Sequence, residues 1–442
     1  MMIASSLVFL LWDDVRALLV LQAIACALGA WAIFLLARDV LESTGEWGDA
    51  KHRPIPQTPW GKTQGLIPIA FALLYLLFPA LEAPHLAEYH AAPLASAPIA
   101  FALLFLERRQ WLRFLLAALL VAAVKEEMAL IGLMLGLAGV LVLIRDRKRS
   151  SQPAVYQSPL TIARISRPSI YPLSYPLTAI ILCLAWFFYA TFVVVPYFGA
   201  AKYGSANSVY FERFGALGAT PAAVVKTLFT NPMLVARVLF TPEKLGYLGG
   251  LLASTGFLAL AAPEVLFIGA PLLAANLLSN FPAQYSGDFH YSVALAPIFS
   301  AAAVYGASRI AHSAQRSGAL AGLRFLLPAA LLCVLYYHHA RGYTPLSENF
   351  YFPEVTLHQQ AFARFAAQVP PAATLSATPS LFPHLSHREV AYVFPTVASA
   401  DYLLLDAAGV TDMHPNDFRN AVNVLLSGGQ YGVLDSADGY IL

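Results

Sequence analysis

The sequence predicts a mainly α-helical fold, a polytopic transmembrane bundle of about ten spans followed by a small extracytoplasmic α/β domain. Of the 442 residues, 58% are hydrophobic and only 12% are charged. A soluble globular chain is usually about 45–50% apolar and about 25% charged. The excess apolar surface is therefore expected to face lipid. The net charge is +2 and the basic residues are dispersed, so no nucleic-acid partner is expected.

Apolar runs of near 20 residues, the length that crosses a bilayer, predict the positions of the spans. The long run 112–144 is interrupted by three charges at 125–127, so it is either one over-long helix or two short spans joined by a charged turn. Arginines within 108–113 precede it and a basic cluster at 145–149 follows it. The positive-inside rule places both flanks in the cytoplasm, which requires two crossings and puts the turn at the outer face. The other expected spans are 17–37, 65–81, 91–106, 175–197, 245–262, 264–280, 292–311 and 324–340.

The bundle is expected to occupy residues 1–340 and the α/β domain residues 341–442. The first apolar run, 3–11, is too short to cross a bilayer, so we expect the chain to begin without the first span of its architecture. Continuing the same parity count places everything after residue 340 on the outer side. The expected elements of the domain are a helix through Phe362 and Phe365, strands at 373–377, 390–394 and 402–405, a helix at 415–426, and a hairpin of 431–435 with 440–442.

Two loops of the bundle have distinct compositions. The proline- and serine-rich stretch 145–176 predicts an extended cytoplasmic linker. The outer segment 198–244 contains two short amphipathic patterns, 221–229 and 231–240, with Thr220 and Asn231 as expected N-caps. Such helices commonly lie in the membrane interface.

Lys125, Glu126 and Glu127 are the strongest local indication of function. Charged residues between apolar spans are costly and usually face a cavity or a partner. Lys125 would bind a phosphate or pair with a carboxylate, and Glu126 or Glu127 would bind a sugar hydroxyl or act as a catalytic base. The alternative is a helix turn at the interface whose side chains extend to water.

Asp288, His290 and Tyr291 form a second candidate group, in the loop FPAQYSGDFHYS between two expected spans. A histidine with a carboxylate two residues away could orient a substrate or relay a proton. An ordinary polar loop is the alternative.

His85, Glu88 and His90 form a third group on the same outer side. His90 is expected to contact substrate, and an ordinary polar loop is the alternative. A metal site there would need a further ligand from elsewhere, so no metal residue is assigned. Lys202 and Arg213 are candidates for anion contacts, with ordinary loop charge as the favoured interpretation.

Several blocks resemble a bacterial and archaeal family of membrane proteins, the domain of unknown function 2079 family. They are YHAAPLASAPIAF at 89–101, VAAVKEEMAL at 121–130, TPEKLGYL at 241–248, FPAQYSGDFHYS at 281–292, LFPHLSHREVAYVFP at 381–395 and DYLLLD at 401–406. The layout of that family is similar to the C-type glycosyltransferase superfamily, whose polytopic members use lipid-phosphate-linked sugars at the extracytoplasmic face.

The resemblance implies transfer of a sugar from a polyprenyl-phosphate donor, with membrane lipid as partner. No cofactor is assigned, and a divalent cation is the alternative left open. The superfamily carries a key acidic residue in its first outer loop, which this chain lacks, and Ala92 stands where relatives often carry an acid. Either the start is misassigned or activity has been lost. The rival interpretations are therefore a transporter or lipid flippase, and an inactive membrane scaffold.

Overall fold

The computed structural model describes residues 7–42, 65–87, 89–150, 171–198, 213–218, 220–317, 320–409, 411 and 413–442. The chain divides into two units. The first contains residues 1–4 and 19–350, and the second contains residues 5–18 and 351–442. The prediction of a mainly helical chain with a small sheet near its C-terminus is confirmed.

The described part of the first unit consists of helices and short turns. Its helices are α1 (Arg16–Glu42, which begins in the second unit), α2 (Leu66–Leu76), α3 (Pro79–Ala87), α4 (Ser96–Glu107), α5 (Trp111–Val124), α6 (Met128–Ser150), α7 (Tyr171–Tyr189), α8 (Pro221–Thr230), α9 (Pro232–Leu239), α10 (Pro242–Ala253), α11 (Pro263–Leu266), α12 (Ala270–Leu278), α13 (Leu295–Ser317) and α14 (Leu320–Arg341).

The expected count of about ten spans is wrong for the described residues. Three helices there are long and apolar enough to cross a membrane, and up to five do so if each sharply bent helix pair counts as one span. A crossing needs about 20 residues, but α4 has 12 and α5 has 14. The three helices are Arg16–Leu41, Met128–Lys148 and Pro172–Phe198, and the bent pairs are Leu66–Leu76 with Pro79–Leu86 and Ala222–Thr230 with Pro232–Leu239.

Local backbone breaks account for part of this difference. The expected span 245–262 ends early, because α10 stops at Ala253 and both Gly256 and Phe257 have a positive φ, of 55° and 60°. At Gly256 a Cβ would lie 2.5 Å from the carbonyl oxygen of Ala330, so the close approach of α14 requires glycine there. The hydropathy of the sequence does not reveal such a break, because it depends only on composition.

The expected break at residues 125–127 is confirmed. Helix α5 ends at Val124 and α6 begins at Met128, and both helices pack against each other and against α7. The contact of α6 with α7 is close because Gly132 and Gly136 face it: a Cβ on Gly136 would lie 2.7 Å from Ile180. Small residues four apart commonly allow such approach between membrane helices.

The two amphipathic helices and their caps are also confirmed. The Thr220 side chain accepts a hydrogen bond from the Ala223 amide at the start of α8. The Asn231 side chain does the same for Leu234 at the start of α9. The axes of these helices differ by 102°. Most of the expected linker 145–176 lies outside the described residues.

The second unit contains a five-stranded sheet in the order β2-β1-β3-β5-β4. Strands β1, β2 and β3 are parallel, while β5 runs antiparallel to β3 and β4. Phe365, Leu404 and Tyr440 lie in its core. The elements are α15 (Leu357–Ala366), β1 (Leu375–Ala377), α16 (Phe382–Leu385), β2 (Ala391–Val393), β3 (Tyr402–Asp406), α17 (Pro415–Ser427), β4 (Ser436–Ala437) and β5 (Tyr440–Ile441).

The final hairpin turns at Asp438 and Gly439, as expected, but its first strand is Ser436–Ala437 and not 431–435. Both turn residues have a positive φ, of 51° and 87°. Positive φ at both central residues defines a type I′ turn, for which Asp-Gly is a favoured pair. The segment before α1 belongs to this unit, where Asp13 forms a 2.9 Å ion pair with His387.

Candidate functional site

Two adjoining cavities lie in the first unit around the turn between α5 and α6. We call the first, of about 270 Å³, the histidine cavity; it is lined by His90, Ala91, Ala92, Ala123, Val124, Lys125, Glu126, Trp186, Ala190, Val194, Val195 and His290. We call the second, of about 190 Å³, the amide cavity; it is lined by Lys125, Glu126, Glu127, Leu130, Thr191, Val195, Arg213, Phe214, Pro271, Leu272, Ala275, Asn276, Gln284 and Tyr291.

The turn between α5 and α6 places its charges in the walls of both cavities. Lys125 caps α5 with an extended backbone (φ −160°, ψ 156°), which ends the helix and redirects the chain. Its Nζ donates to Oε1 of Glu127 at 2.9 Å. Glu126 lines both cavities, whereas Glu127 lines only the amide cavity. The two carboxylates therefore differ in position: Glu127 is the partner of Lys125, and Glu126 lies in the walls of both cavities.

His90 and His290 meet in the histidine cavity. Their rings are stacked, with centroids 3.7 Å apart. His290 begins a 3₁₀ turn, His290–Ser292, that packs against α3, α12 and the 92–95 turn. Burial, together with the nearby charges of His90, Lys125 and Arg213, lowers the pKa of His290 to about 3. The His290 ring is consequently neutral near pH 7 and can accept or donate a hydrogen bond without carrying charge.

Arg213 contributes a second cation to the amide cavity. Its Nη1 donates to the Tyr291 hydroxyl at 3.1 Å, and its guanidinium lies 4.6 Å from the centre of the Phe281 ring. Its backbone carbonyl accepts a hydrogen bond from the Asn280 amide. Arg213 is thus held on both sides by the 280–291 loop, next to the charged turn.

A buried polar network supports the His290–Ser292 turn. Asn276, on α12, donates through Nδ2 to the Tyr291 carbonyl at 3.2 Å and to the Tyr247 hydroxyl at 3.0 Å. Tyr247, on α10, is hydrogen-bonded to the Ser292 hydroxyl at 2.8 Å. Buried hydrogen-bonded groups of this kind restrict a segment to one conformation.

Asp288 lies outside the linings of both cavities. Its carboxylate accepts from Arg341 at 3.2 Å and from the Tyr343 hydroxyl at 3.4 Å. Burial raises the pKa of Tyr343, and the nearby negative charge of Asp288 raises it further. The structure therefore brings His90, Lys125, Glu126, Glu127, His290 and Tyr291 together around the cavities, and places Asp288 in a separate ion pair.

Several lining residues were not identified from the sequence. Trp186, Thr191 and Asn276 each lie within a run that reads as an apolar span, where a single polar or aromatic residue is inconspicuous. Asn276 was detectable in principle, because an amide inside an apolar segment usually has a specific partner. Glu88 and Lys202 lie outside the described residues. Among the described residues, no group of three or more His, Cys, Asp or Glu side chains could hold a metal ion.

The apolar helices and the polar cavities among them define a membrane protein. The sequence profile of the family described as predicted membrane protein, domain of unknown function 2079, matches residues 5–442, and the chain belongs to that family. No curated protein and no solved structure matches the chain.

Proposed function

We propose that this protein is a multi-pass glycosyltransferase of the cell membrane that takes a sugar from a polyprenyl-phosphate donor at the extracytoplasmic face. The observation that carries the proposal is the composition of the histidine cavity. Lys125, Glu126 and the stacked histidines form its polar part, while Trp186 and Val195, from the helical segment 172–198, form an apolar part. A lipid-linked phosphate has the same division into a charged head and an apolar chain.

The apolar wall supports access from the bilayer. The span Pro172–Phe198 is only 17% buried inside the protein, so most of its surface is available to lipid. A polyprenyl chain could lie along this helix while its phosphate reaches Lys125. Desolvation strengthens the attraction between an ammonium and a phosphate, because water no longer screens the charges.

The proposed reaction assigns separate roles to the three charges at 125–127. The acceptor hydroxyl attacks the anomeric carbon of the sugar, the bond from that carbon to the phosphate oxygen breaks, and the lipid phosphate leaves. Glu126 takes the proton of the acceptor hydroxyl, and Lys125 stabilises the negative charge of the leaving phosphate. Glu127 fixes Lys125 through their 2.9 Å ion pair. His290, neutral near pH 7, positions a hydroxyl.

The test uses the full chain reconstituted in vesicles with a panel of polyprenyl-phosphate sugars and a panel of acceptors. Transfer should occur with at least one donor, and Glu126→Gln should reduce the rate by about 10²-fold or more. No transfer across the panels, together with wild-type behaviour of Lys125→Ala and Glu126→Ala in cells, would refute the proposal. Labelling of single cysteines placed in 125–127 and 430–434 from outside the cell checks the extracytoplasmic placement of the turn and the C-terminal unit.

A transporter or flippase is the second candidate, because the first unit contains bent helix pairs. The pair Leu66–Leu76 and Pro79–Leu86 bends by 50°, and Ala222–Thr230 and Pro232–Leu239 bend by 102°. Discontinuous helices are common where transporters bind substrate. Movement of a labelled polyprenyl-phosphate sugar between leaflets, without transfer of its sugar, would favour this function over catalysis.

A further inference from the structure

The amide cavity contains polar atoms that lack partners within the described part of the chain. Thr191 Oγ1 and Asn276 Oδ1 are both buried and without a hydrogen bond, and both residues line this cavity. A buried polar group left unpaired usually costs about 1–3 kcal/mol. Two of them in the wall of one cavity indicate that a ligand supplies the missing donors and acceptors.

The orientation of the Asn276 amide is fixed by its neighbours. The Tyr291 carbonyl can only accept a hydrogen bond, so the atom that faces it at 3.2 Å must be the Nδ2 donor. Rotating the amide by 180° would place two acceptors against each other. The unpaired atom is therefore the carbonyl oxygen, which requires a hydrogen-bond donor such as a hydroxyl.

Thr191 lies in an irregular part of the helix that follows α7. Residues Ala190–Val194 form a π-helical turn, which continues as α-helix after Val194. Such turns are rare and frequently occur at functional sites. Thr191 lines the amide cavity, and its hydroxyl can both donate and accept a hydrogen bond.

The side-chain amide of Gln284 provides a hydrogen-bond donor in the same cavity. The Ser279 hydroxyl donates to Gln284 Oε1 at 2.5 Å, so the carbonyl of this amide faces Ser279 and the Nε2 group is its remaining donor. Gln284 is 7% exposed and lines the amide cavity. The ring of Tyr291 also lines it. Amide, hydroxyl, carboxylate and aromatic groups thus surround one small volume.

We propose that the amide cavity binds the sugar ring of the donor, with Thr191, Asn276 and Gln284 hydrogen-bonded to its hydroxyls. This inference rests on the proposed function and adds the location of the sugar. A sugar ring carries several hydroxyls that each donate and accept, which matches a wall offering an acceptor, a donor and a hydroxyl. The volume of about 190 Å³ accommodates several water-sized groups, since one water needs about 10–15 Å³. The shared wall at Lys125 and Glu126 then lies between the sugar and the lipid phosphate.

The experiment compares two probes on the full chain in nanodiscs: a short polyprenyl phosphate bearing one sugar, drawn from a panel of common hexoses, and the same polyprenyl phosphate without sugar. The wild type should bind at least one sugar-bearing probe about tenfold or more tightly than the sugar-free probe. Thr191→Val should weaken that binding about five- to tenfold and leave the sugar-free probe unaffected, because one hydrogen bond is lost. Thr191→Ser, which keeps the hydroxyl, should restore the affinity.

Ser96→Ala provides the matched control. Ser96 is also a buried hydroxyl residue, and it lines neither cavity. It should leave the binding of both probes unchanged. If the two probes bind equally and Thr191→Val changes neither, the sugar pocket is refuted while binding of a lipid phosphate stands. If neither probe binds, the proposed function fails first, and the inference with it. Thermal unfolding verifies that each variant is folded.

Discussion

The imidazole rings of His90 and His290 lie face to face, with centroids 3.7 Å apart and planes inclined by 29°. The two residues are far apart in the chain, and both line the histidine cavity. Stacked rings at this distance cannot both carry a proton without strong repulsion. Because the pKa of His290 is lowered, its ring is neutral near pH 7, and protonation of this ring in acid disturbs the stacked pair.

Acid should destabilise the first unit through His290. Burial lowers the pKa of this ring from 6.5 to about 3, so the unfolded chain binds a proton between those values while the folded chain does not. Stability is then fully present above pH 6.5 and falls as the pH drops toward 3. From pH 7 to pH 5 the free energy of unfolding should fall by about 1 kcal/mol. This is roughly half of what the pKa shift alone would give, because the ring is partly exposed to water.

The measurement is the unfolding midpoint of wild type and His290→Gln in detergent from pH 7.5 to 4.5. The wild type should lose more stability than the variant over this interval. If the midpoints of wild type and variant fall equally with pH, the lowered pKa of His290 is contradicted. If the midpoint of the variant falls more steeply, the pKa shift of His290 has the opposite direction.

Removal of the Lys125 ammonium should separate binding from stability. The Lys125–Glu127 pair is about 27% and 33% exposed, and such pairs contribute about 0–1 kcal/mol to folding. Lys125→Ala should therefore change the free energy of unfolding by less than about 1 kcal/mol. It should weaken the binding of polyprenyl phosphate by about tenfold or more, because the phosphate loses a charged partner.

Arg309→Ala is the control for this variant. Arg309, on α13, forms an ion pair with Glu264 and lines neither cavity. Its loss should leave the binding of the lipid phosphate unchanged. Equal effects of the two variants on binding would show that any loss of surface charge suffices, and Lys125 would have no specific role.

A methyl group added at Gly136 should loosen the packing of α6 against α7. The new Cβ would lie 2.7 Å from Ile180, which is closer than real contacts allow, and 3.0 Å from the Pro176 carbonyl oxygen, which is tighter than most contacts. Gly136→Ala should lower the free energy of unfolding by about 1–3 kcal/mol. Gly249→Ala is the matched control, because no atom lies within 4 Å of its Cβ position. It should be neutral or stabilise its helix by up to about 1 kcal/mol.

The measurement is the thermal unfolding of both glycine variants and the wild type in the same detergent. A Gly136→Ala variant as stable as the wild type would mean that α6 and α7 do not approach as closely as described.

Alkaline pH should weaken the second unit through His358. Hydrogen bonding to Asp406 at 3.3 Å, and to Asp438 at 3.0 Å, raises the pKa of this ring, which also stacks on Tyr440. Its contribution is fully present below the ordinary pKa of histidine and is lost as the pH rises through the raised value. Hydrogen exchange of β3 and β5, corrected for intrinsic rates, should be faster at pH 8.5 than at pH 6.

The His358→Gln variant should show little of this change. The control is His384→Gln in the same unit, whose ring packs on Phe362, and it should behave as the wild type does. Protection that increases with pH in the wild type would contradict the direction of the shift.

Local sequence signals predicted the elements that depend on local chemistry. The helix break at 125–127, the caps at Thr220 and Asn231, and the turn at Asp438 and Gly439 all follow from residues within a few positions. The number of spans did not follow, in part because proline and positive-φ residues divide the apolar runs 65–81, 245–262 and 264–280 into pieces. The hydropathy of a segment depends on its composition and does not change where the backbone bends.

The candidate site was predictable in its parts and not in its assembly. Lys125, Glu126 and His290 each stood out as polar groups between apolar runs. Thr191 and Asn276 did not, because one polar side chain in an apolar helix is equally consistent with an ordinary packed position.

The sequence by itself determined the class of protein, the charged turn and the local caps, since composition and short-range spacing suffice for these. The tertiary structure alone decided which charges meet. It stacked His90 on His290, brought Arg213 to the Lys125 turn and paired Asp288 with Arg341. These contacts join distant segments, and their geometry depends on how α5, α6, α7 and α12 pack, which no local pattern encodes.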